Sequence, residues 1–255
     1  MTGRLDLELV RRSFARSRSE ARNLIKDGSV TVRGELEIRP AARVGPETVI
    51  EVDPTVARWV SRGGVKLSAA LDSFGVAVEG RRCVDVGAST GGFTEVLLSR
   101  GAIEMVALDV GHGQLAPALA ADNRVTSLDR TNVREVTPDD LGGCFDLLVA
   151  DLSFISIRTV AGTLAALVCD GGDAVVLVKP QFEVGKGEVG KGGVVRDDAK
   201  RRSALEGVKA AAEELGFAVT GEAESPIEGP AGNREWLLAL RAPGLRRGVS
   251  TAPLP

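Results

Sequence analysis

The sequence predicts an α/β protein: a mostly parallel sheet of seven strands, the last one antiparallel, preceded by a small α+β domain. Three observations carry this expectation. From residue 82 onward, short continuous apolar runs alternate with helical stretches, the pattern of strands buried on both faces between helices. A glycine-studded turn, DVGASTGGF (85–93), follows the first of those runs and leads into a helix. Ahead of it stand two short helical patterns and one alternating strand, a unit of its own.

In that front unit, Leu5, Leu9, Val10 and Phe14 mark one apolar helix face and Ala21, Leu24 and Ile25 another, with Gly28 placed to end the second helix. Ser17 and Glu20 have the spacing of a capping box. SVTVRG (29–34) then alternates as a strand does. Arg11, Arg12, Arg16, Arg18 and Arg22 crowd the helix junction, where guanidinium groups can meet phosphates bidentately or form a solvated face. DPTVARWVSRGG (53–64) joins the two parts; Arg58, Trp59 and Arg62 could stack on or pair with a nucleic acid, and Trp59 could equally pack an interface. The expected division is a front domain over 1–57, a linker over 58–64, the sheet domain over 65–242 and a tail over 243–255.

CVDVG, MVALDVG, RVTSLD, FDLLVADLS, AVVLVKP, FAVTGEAES and WLLALR are the seven expected strands. Ligands of such sheets sit outside the carboxyl ends of the strands, where connections diverge. No stretch approaches the ~18 uncharged apolar residues of a membrane span, and the start MTGRLDLELV has neither a signal core nor a cleavage site. A cytoplasmic protein without membrane contact is expected. Cys83, Cys144 and Cys169 lack C-x-x-C spacing and His112 is the single histidine, so neither a usual zinc site nor a disulfide framework is expected, and the cysteines read as core filler. A net charge of −3 excludes indiscriminate nucleic-acid binding but permits a local basic face. Without a large apolar surface stripe, a monomer is expected.

Against the dinucleotide pattern G-x-G-x-x-G, the turn supplies Gly87, Ser89 and Gly92, so serine replaces the glycine that admits a pyrophosphate. S-adenosylmethionine carries no phosphate and fits this turn better. Asp109, ending the next strand about 20 residues on, is placed for ribose hydroxyls. A second glycine run, GKGEVGKG (185–192), fails as a phosphate-binding loop because Gly192 stands where Ser or Thr is required. It reads instead as a lid presenting Lys186, Lys191 and Arg196 to a polyanion, or as a plain solvent loop.

Asp151 and Lys179 end strands, Glu235 opens the last strand, and Lys66 follows the Gly63-Gly64 turn. If the last strand is antiparallel, Glu235 lies at the same edge as Asp151 and Lys179, and with Lys66 the four could form one cluster; taken singly, each reads equally as a solvated or ion-paired charge. A ribose 2′-hydroxyl must lose its proton as it attacks a sulfonium methyl, so a nearby base helps by roughly 10²–10⁴-fold. A lysine serves as base only in its neutral form; burial and a second ammonium favour that form and carboxylates oppose it. Lys179 is the expected base, with Lys66, Asp151 and Glu235 tuning and orienting it.

R-L-D, S-R-S-E-A-R and G-S-V-T-V-R-G in the front unit resemble the alpha-L type of RNA-binding domain. SRGGVKL, DVGASTGGFT, DLSFIS, VKPQFEVGKG and GPAGNREWLL together resemble the TlyA (hemolysin A) family of FtsJ-like ribosomal-RNA 2′-O-methyltransferases. The resemblance implies a Rossmann-like methyltransferase that uses S-adenosylmethionine. Its catalytic set would be Lys66, Asp151, Lys179 and Glu235. The donor would be held by Asp85, Gly87, Ala88, Ser89, Thr90, Gly91, Gly92, Phe93, Thr94, Asp109, Asp129, Asn132 and Asp151, with Phe93 and Phe154 flanking the site. RNA would be bound by Arg4, Arg11, Arg12, Arg16, Arg18, Arg22, Lys26, Arg58, Arg62, Lys186 and Lys191. The partner implied is ribosomal RNA within ribosomal subunits, at a cytidine, with the large subunit favoured over the small and no metal. D-L-S-F lacks the prolines of base N-methyltransferases, and Cys144 and Cys169 fall at the wrong ends of their elements for a cysteine-dependent transfer to cytosine. A haemolytic protein and a non-catalytic RNA-binding protein are the alternatives outside the class.

Overall fold

A computed structural model describes residues 2–15, 17–26, 28–53, 59–185, 187–190 and 192–244. The front domain runs β1 (Gly3–Arg4), α1 (Leu5–Arg11), α2 (Arg18–Lys26), β2 (Val30–Val32), β3 (Glu35–Leu36), β4 (Arg43–Val44) and β5 (Ile50–Val52). Leu5, Leu9, Ala21, Leu24, Ile25, Val30 and Ile50 close its core. Phe14 is not part of it: α1 ends at Arg11, Ser13 turns the chain at φ 62°, and Phe14, past the periodic face, is 40% exposed. Ala15 is buried instead. Gly28 ends the second helical stretch at φ 73°, with its N–H on the Ile25 carbonyl. The Glu20 side chain of the expected capping box lies outside the described residues.

The second part runs α3 (Gly63–Phe74), β6 (Arg82–Val86), α4 (Gly92–Ser99), β7 (Glu104–Leu108), α5 (Pro117–Ala120), β8 (Val125–Leu128), β9 (Phe145–Ala150), α6 (Ile157–Leu167), β10 (Val168–Val178), α7 (Pro180–Glu183), α8 (Asp198–Glu214), β11 (Ala218–Glu224) and β12 (Trp236–Arg241). All seven expected strands form one sheet in the order β11-β12-β10-β9-β6-β7-β8. Only β12 is antiparallel, to both neighbours. Side chains alternate between faces: Leu147, Val149, Val175 and Leu177 join Leu67, Leu71 and Leu97 of α3 and α4, while Leu148, Val176 and Leu238 join Leu164, Leu205 and Val208 of α6 and α8. Burial on both faces is why the five inner strands read as nearly unbroken apolar runs, whereas the edge strands β8 and β11 carry polar residues along exposed positions.

The chain steps outward from β6 through β7 to β8, then returns to lay β9 on the other side of β6. The carboxyl ends of β6 and β9 therefore bound the crevice of the sheet. The two parts touch through α3: Val65 packs on the front core and Arg62 donates to the Gly28 carbonyl at 3.2 Å.

The reading of all three cysteines as core filler is corrected. Cys144 and Cys169 form a disulfide at the opposite edge of the sheet, where β9 and β10 begin, and Cys83 alone is a buried free thiol pushed up to about 12 by burial. Spacing along the chain could not reveal the pair, because parallel pairing of Phe145 with Val168 is what brings the two together. At a sequence separation of 25, reduction should destabilise the fold by about 3.5 kcal/mol. Thermal unfolding with and without reductant tests this; identical midpoints would show that the bond contributes nothing.

Candidate active site

After β6 the backbone turns through Gly87 (φ 87°), Ser89 (φ 48°) and Gly91 (φ 98°) into α4. A Cβ at Gly87 would lie 2.7 Å from the Asp151 carbonyl oxygen, so only glycine lets the turn press against the end of β9. A Cβ at Gly92 would come within 2.9 Å of the Gly64 nitrogen, and its absence lets the first turns of α3 and α4 abut. The Ser89 N–H donates to Asp109 Oδ2 at 2.9 Å, and Gly111 N–H to Asp109 Oδ1 at 2.6 Å.

Two adjoining hollows, of about 400 and 480 Å³, meet at Gly87, Ser89, Asp151, Ser153 and Phe154. All four expected catalytic residues line the first. Lys66, one turn into α3, and Glu235, at the start of β12, are 5% and 2% exposed, and their Nζ and Oε2 lie 2.5 Å apart. Two charges so deeply buried are tolerable only as a pair. Gly229 makes room, since a Cβ there would stand 2.6 Å from Glu235 Oε1. Lys179 Nζ lies 2.6 Å from Asp151 Oδ1 and donates to Ser153 Oγ at 2.9 Å. Burial pushes the Asp151 carboxyl up, but Lys179 and then Lys66 outweigh it and hold the group below the usual carboxylate range.

The second hollow is lined by Asp109, Val110, Gln114 and Asn132. Ala88, Thr90 and Phe93 line the first; Phe93 is 3% exposed and belongs to the core, whereas Phe154 is 92% exposed at φ 66°, its ring centroid 5.3 Å from that of Phe182. Four expected donor-holding residues line neither hollow. Asp85 and Thr94 are completely buried beneath the turn, hydrogen-bonded to each other at 2.7 Å. The Gly91 side-chain position is filled by Leu115 and Leu119. The Asp129 carboxylate turns to His112 Nδ1 and the Gly113 N–H. Ser153, Gln181, Phe182 and Gly229–Ala231 line the first hollow unforeseen, although DLSFIS, VKPQFEVGKG and GPAGNREWLL contain them, and Glu228 joins them from just outside the last motif.

The front arginines divide. Arg12 is consumed within its own domain, bonding Glu8 and the carbonyls of Thr48, Gly45 and Pro46. Arg4 and Arg18 share the buried Asp6 and Arg11 pairs with Glu8, but each keeps more than a third of its side chain exposed, and Arg22 is exposed. Hydrogen bonds from Arg4 and Arg18 hold Asp6 down to about 2, and those from Arg11 and Arg12 hold Glu8 at about 2. Arg62 reaches the Glu228 carbonyl at 2.7 Å. Arg16, Arg58, Lys186, Lys191, the Lys26 side chain and the tail from 245 lie outside the described residues. Among the described residues no helix is long and apolar enough to cross a membrane, and no group of three or more His, Cys, Asp or Glu could hold a metal.

This sheet order, with an antiparallel strand between two parallel neighbours and a crevice at the glycine turn, defines a methyltransferase-type α/β domain, here behind a small α+β unit. Residues 59–242 match the FtsJ-like methyltransferase family and residues 3–50 the S4 domain. The chain is 53% identical over 239 residues to the 16S/23S rRNA (cytidine-2'-O)-methyltransferase TlyA of Mycobacterium tuberculosis, covering 93% of this chain and 89% of that one. It is 39% identical over 235 residues to Hemolysin A of Brachyspira hyodysenteriae, covering 92% and 98%. A solved structure of a hemolysin-named protein from Streptococcus thermophilus superposes with a TM-score of 0.75 at 37% identity, over 98% of this chain and 92% of the other. The chain belongs to the TlyA/hemolysin A family of rRNA methyltransferases.

Asp85 yields a test. Its Oδ1 has no partner, and burial, with the charge of Asp151 adding to it, pushes the carboxyl up to about 7 against the Thr94 hydrogen bond. The folded protein then binds more protons than the unfolded one between about pH 4 and 7, so stability falls as pH rises through that window. Asp85→Asn should be more stable than the original at pH 8, by up to about 4 kcal/mol, and lose that advantage toward pH 4. Denaturant unfolding at several pH values reads this, and parallel pH profiles would refute it.

Proposed function

We propose that the chain transfers the methyl of S-adenosylmethionine to a ribose 2′-hydroxyl of a cytidine in ribosomal RNA, with Lys179 as the general base. The observation that carries this reading is the convergence of Lys66, Asp151, Lys179 and Glu235 on one hollow at the glycine turn. The residues suit the donor. Asp109 keeps acceptor capacity for ribose hydroxyls beyond its two backbone hydrogen bonds. Val110, 71% exposed, and Asn132 offer an apolar surface and an amide beside it for the adenine. When bound, the donor supplies an electrophilic methyl group.

The chain's own part is to hold the hydroxyl and take its proton. A neutral amine retains two N–H bonds, and Asp151 and Ser153 stand as acceptors for both, which leaves the Lys179 lone pair for the 2′-hydroxyl proton. The Lys66–Glu235 pair places a second ammonium near Asp151 while remaining neutral overall. The S4 domain, with the exposed parts of Arg4, Arg11, Arg18 and Arg22, would fix the RNA by phosphate contacts that position without specifying sequence. Large-subunit RNA is the favoured target within this reading.

Lys179→Ala should lower methyl transfer to intact subunits by at least about 10²-fold, while donor binding measured by calorimetry stays within a few-fold. Full transfer by that variant would remove Lys179 as the base. Mapping the labelled ribose on naked rRNAs and on both subunits identifies the target; label on a base instead of a ribose would overturn the reading of the acceptor.

A further inference from the structure

Two loops carry the reacting groups, and one buried carboxylate pins them together. The segment after β9 presents Asp151, Ser153 and Phe154; the segment after β10 presents Lys179 and Phe182. The second ends in α7, a single turn of four residues. A turn that short has no stability of its own, so its position depends on what it is tied to. Glu183 closes α7, and its side chain is 0% exposed. Its Oε2 accepts from Ser156 Oγ at 2.6 Å and from Arg158 Nε at 3.2 Å, and its Oε1 from the Ile157 N–H at 2.7 Å. Arg158 Nη2 also donates to the Glu183 carbonyl. The carboxylate therefore sits on the N-terminus of α6, where the first amide protons need acceptors and negative charge is favoured.

We propose that Glu183 is a positioning residue for methyl transfer, holding the Lys179 loop against the Asp151 loop so that Lys179 Nζ meets Asp151 and Ser153. The inference rests on the reading of Lys179 as the base. Glu183 does not itself line the hollow, although Lys179, Gln181 and Phe182 just before it do, and it touches no reacting atom. Its action is through register: it ties α7 to Ser156–Arg158, three to five residues beyond Ser153. The same tie sets the Phe154–Phe182 contact. Neutralising the side chain keeps its shape, but an amide nitrogen would then face Arg158 Nε beside Ser156 Oγ in one orientation or the Ile157 N–H in the other, a donor against a donor either way.

The test uses the full chain, labelled donor and intact ribosomal subunits. Glu183→Gln should lower kcat by about ten- to a hundredfold, the scale of a misplacement near 1 Å, with the KM for subunits and the donor Kd changed less than twofold. Ser156→Ala, which removes one of the three side-chain hydrogen bonds and serves if Glu183→Gln folds poorly, should give a smaller fall in kcat with the same split. A kcat unchanged in both variants overturns the inference, as does a loss of donor binding in step with activity, which marks a role in folding alone. Lys179→Ala is measured alongside. If it retains full transfer, the base assignment fails and the inference falls with it; if it abolishes transfer while Glu183→Gln does not slow it, the base stands and the positioning role alone is refuted.

Discussion

The reversal of strand order between β6 and β9 is the constraint on which the rest of the molecule depends. Neighbouring parallel strands whose connections leave in opposite directions part at their carboxyl ends, and the gap cannot be filled by either connection. Here the gap is narrow because Gly87 presses on the Asp151 carbonyl, an approach that any side chain at Gly87 would prevent. Every group with a proposed chemical role is placed relative to that contact. Asp109 and Ser89 flank it on the β7 side, and Asp151 and Lys179 on the β9 and β10 side.

The antiparallel course of β12 has an equally direct consequence. Were the strand parallel, Glu235 would open it at the far edge, beside the Cys144–Cys169 bond, and buried Lys66 would lose its ion-pair partner. Running the other way, β12 delivers Glu235 to Lys66. The two lysines are thereby distinguished by their surroundings. Lys66 is enclosed with its carboxylate, 5% exposed, whereas Lys179 stands at the wall of the hollow with a carboxylate and a hydroxyl as partners.

The front domain uses acidic residues to organise its basic ones. Asp6 and Glu8 draw in Arg4, Arg18, Arg11 and Arg12, which orients guanidinium groups that would otherwise sample many rotamers. Arg12 is thereby committed to the domain's own carbonyls, while the other three keep exposed surface. Arg62 joins this domain to the 228–231 loop at the wall of the first hollow by bonding the carbonyls of Gly28 and Glu228, one helical turn before Lys66.

What the sequence alone determined follows from periodicity and local chemistry. Apolar runs marked the inner strands and shorter mixed runs the two edge strands; strand ends suggested Asp151, Lys179 and Glu235, and the family resemblance of the surrounding motifs joined them with Lys66 of α3 into one set, which the fold brings to a single hollow. Helix faces were legible while the helix lasted and failed at Phe14, beyond its last turn. Tertiary structure alone decided contacts between residues far apart in the chain. Cys144 met Cys169 through strand register, Asp129 was claimed by His112 and the Gly113 amide, and Asp85 was sealed under the turn with Thr94. A residue's type and neighbours in sequence state what it can bond to; which partner it finds, and whether water still reaches it, is settled only when separate elements pack.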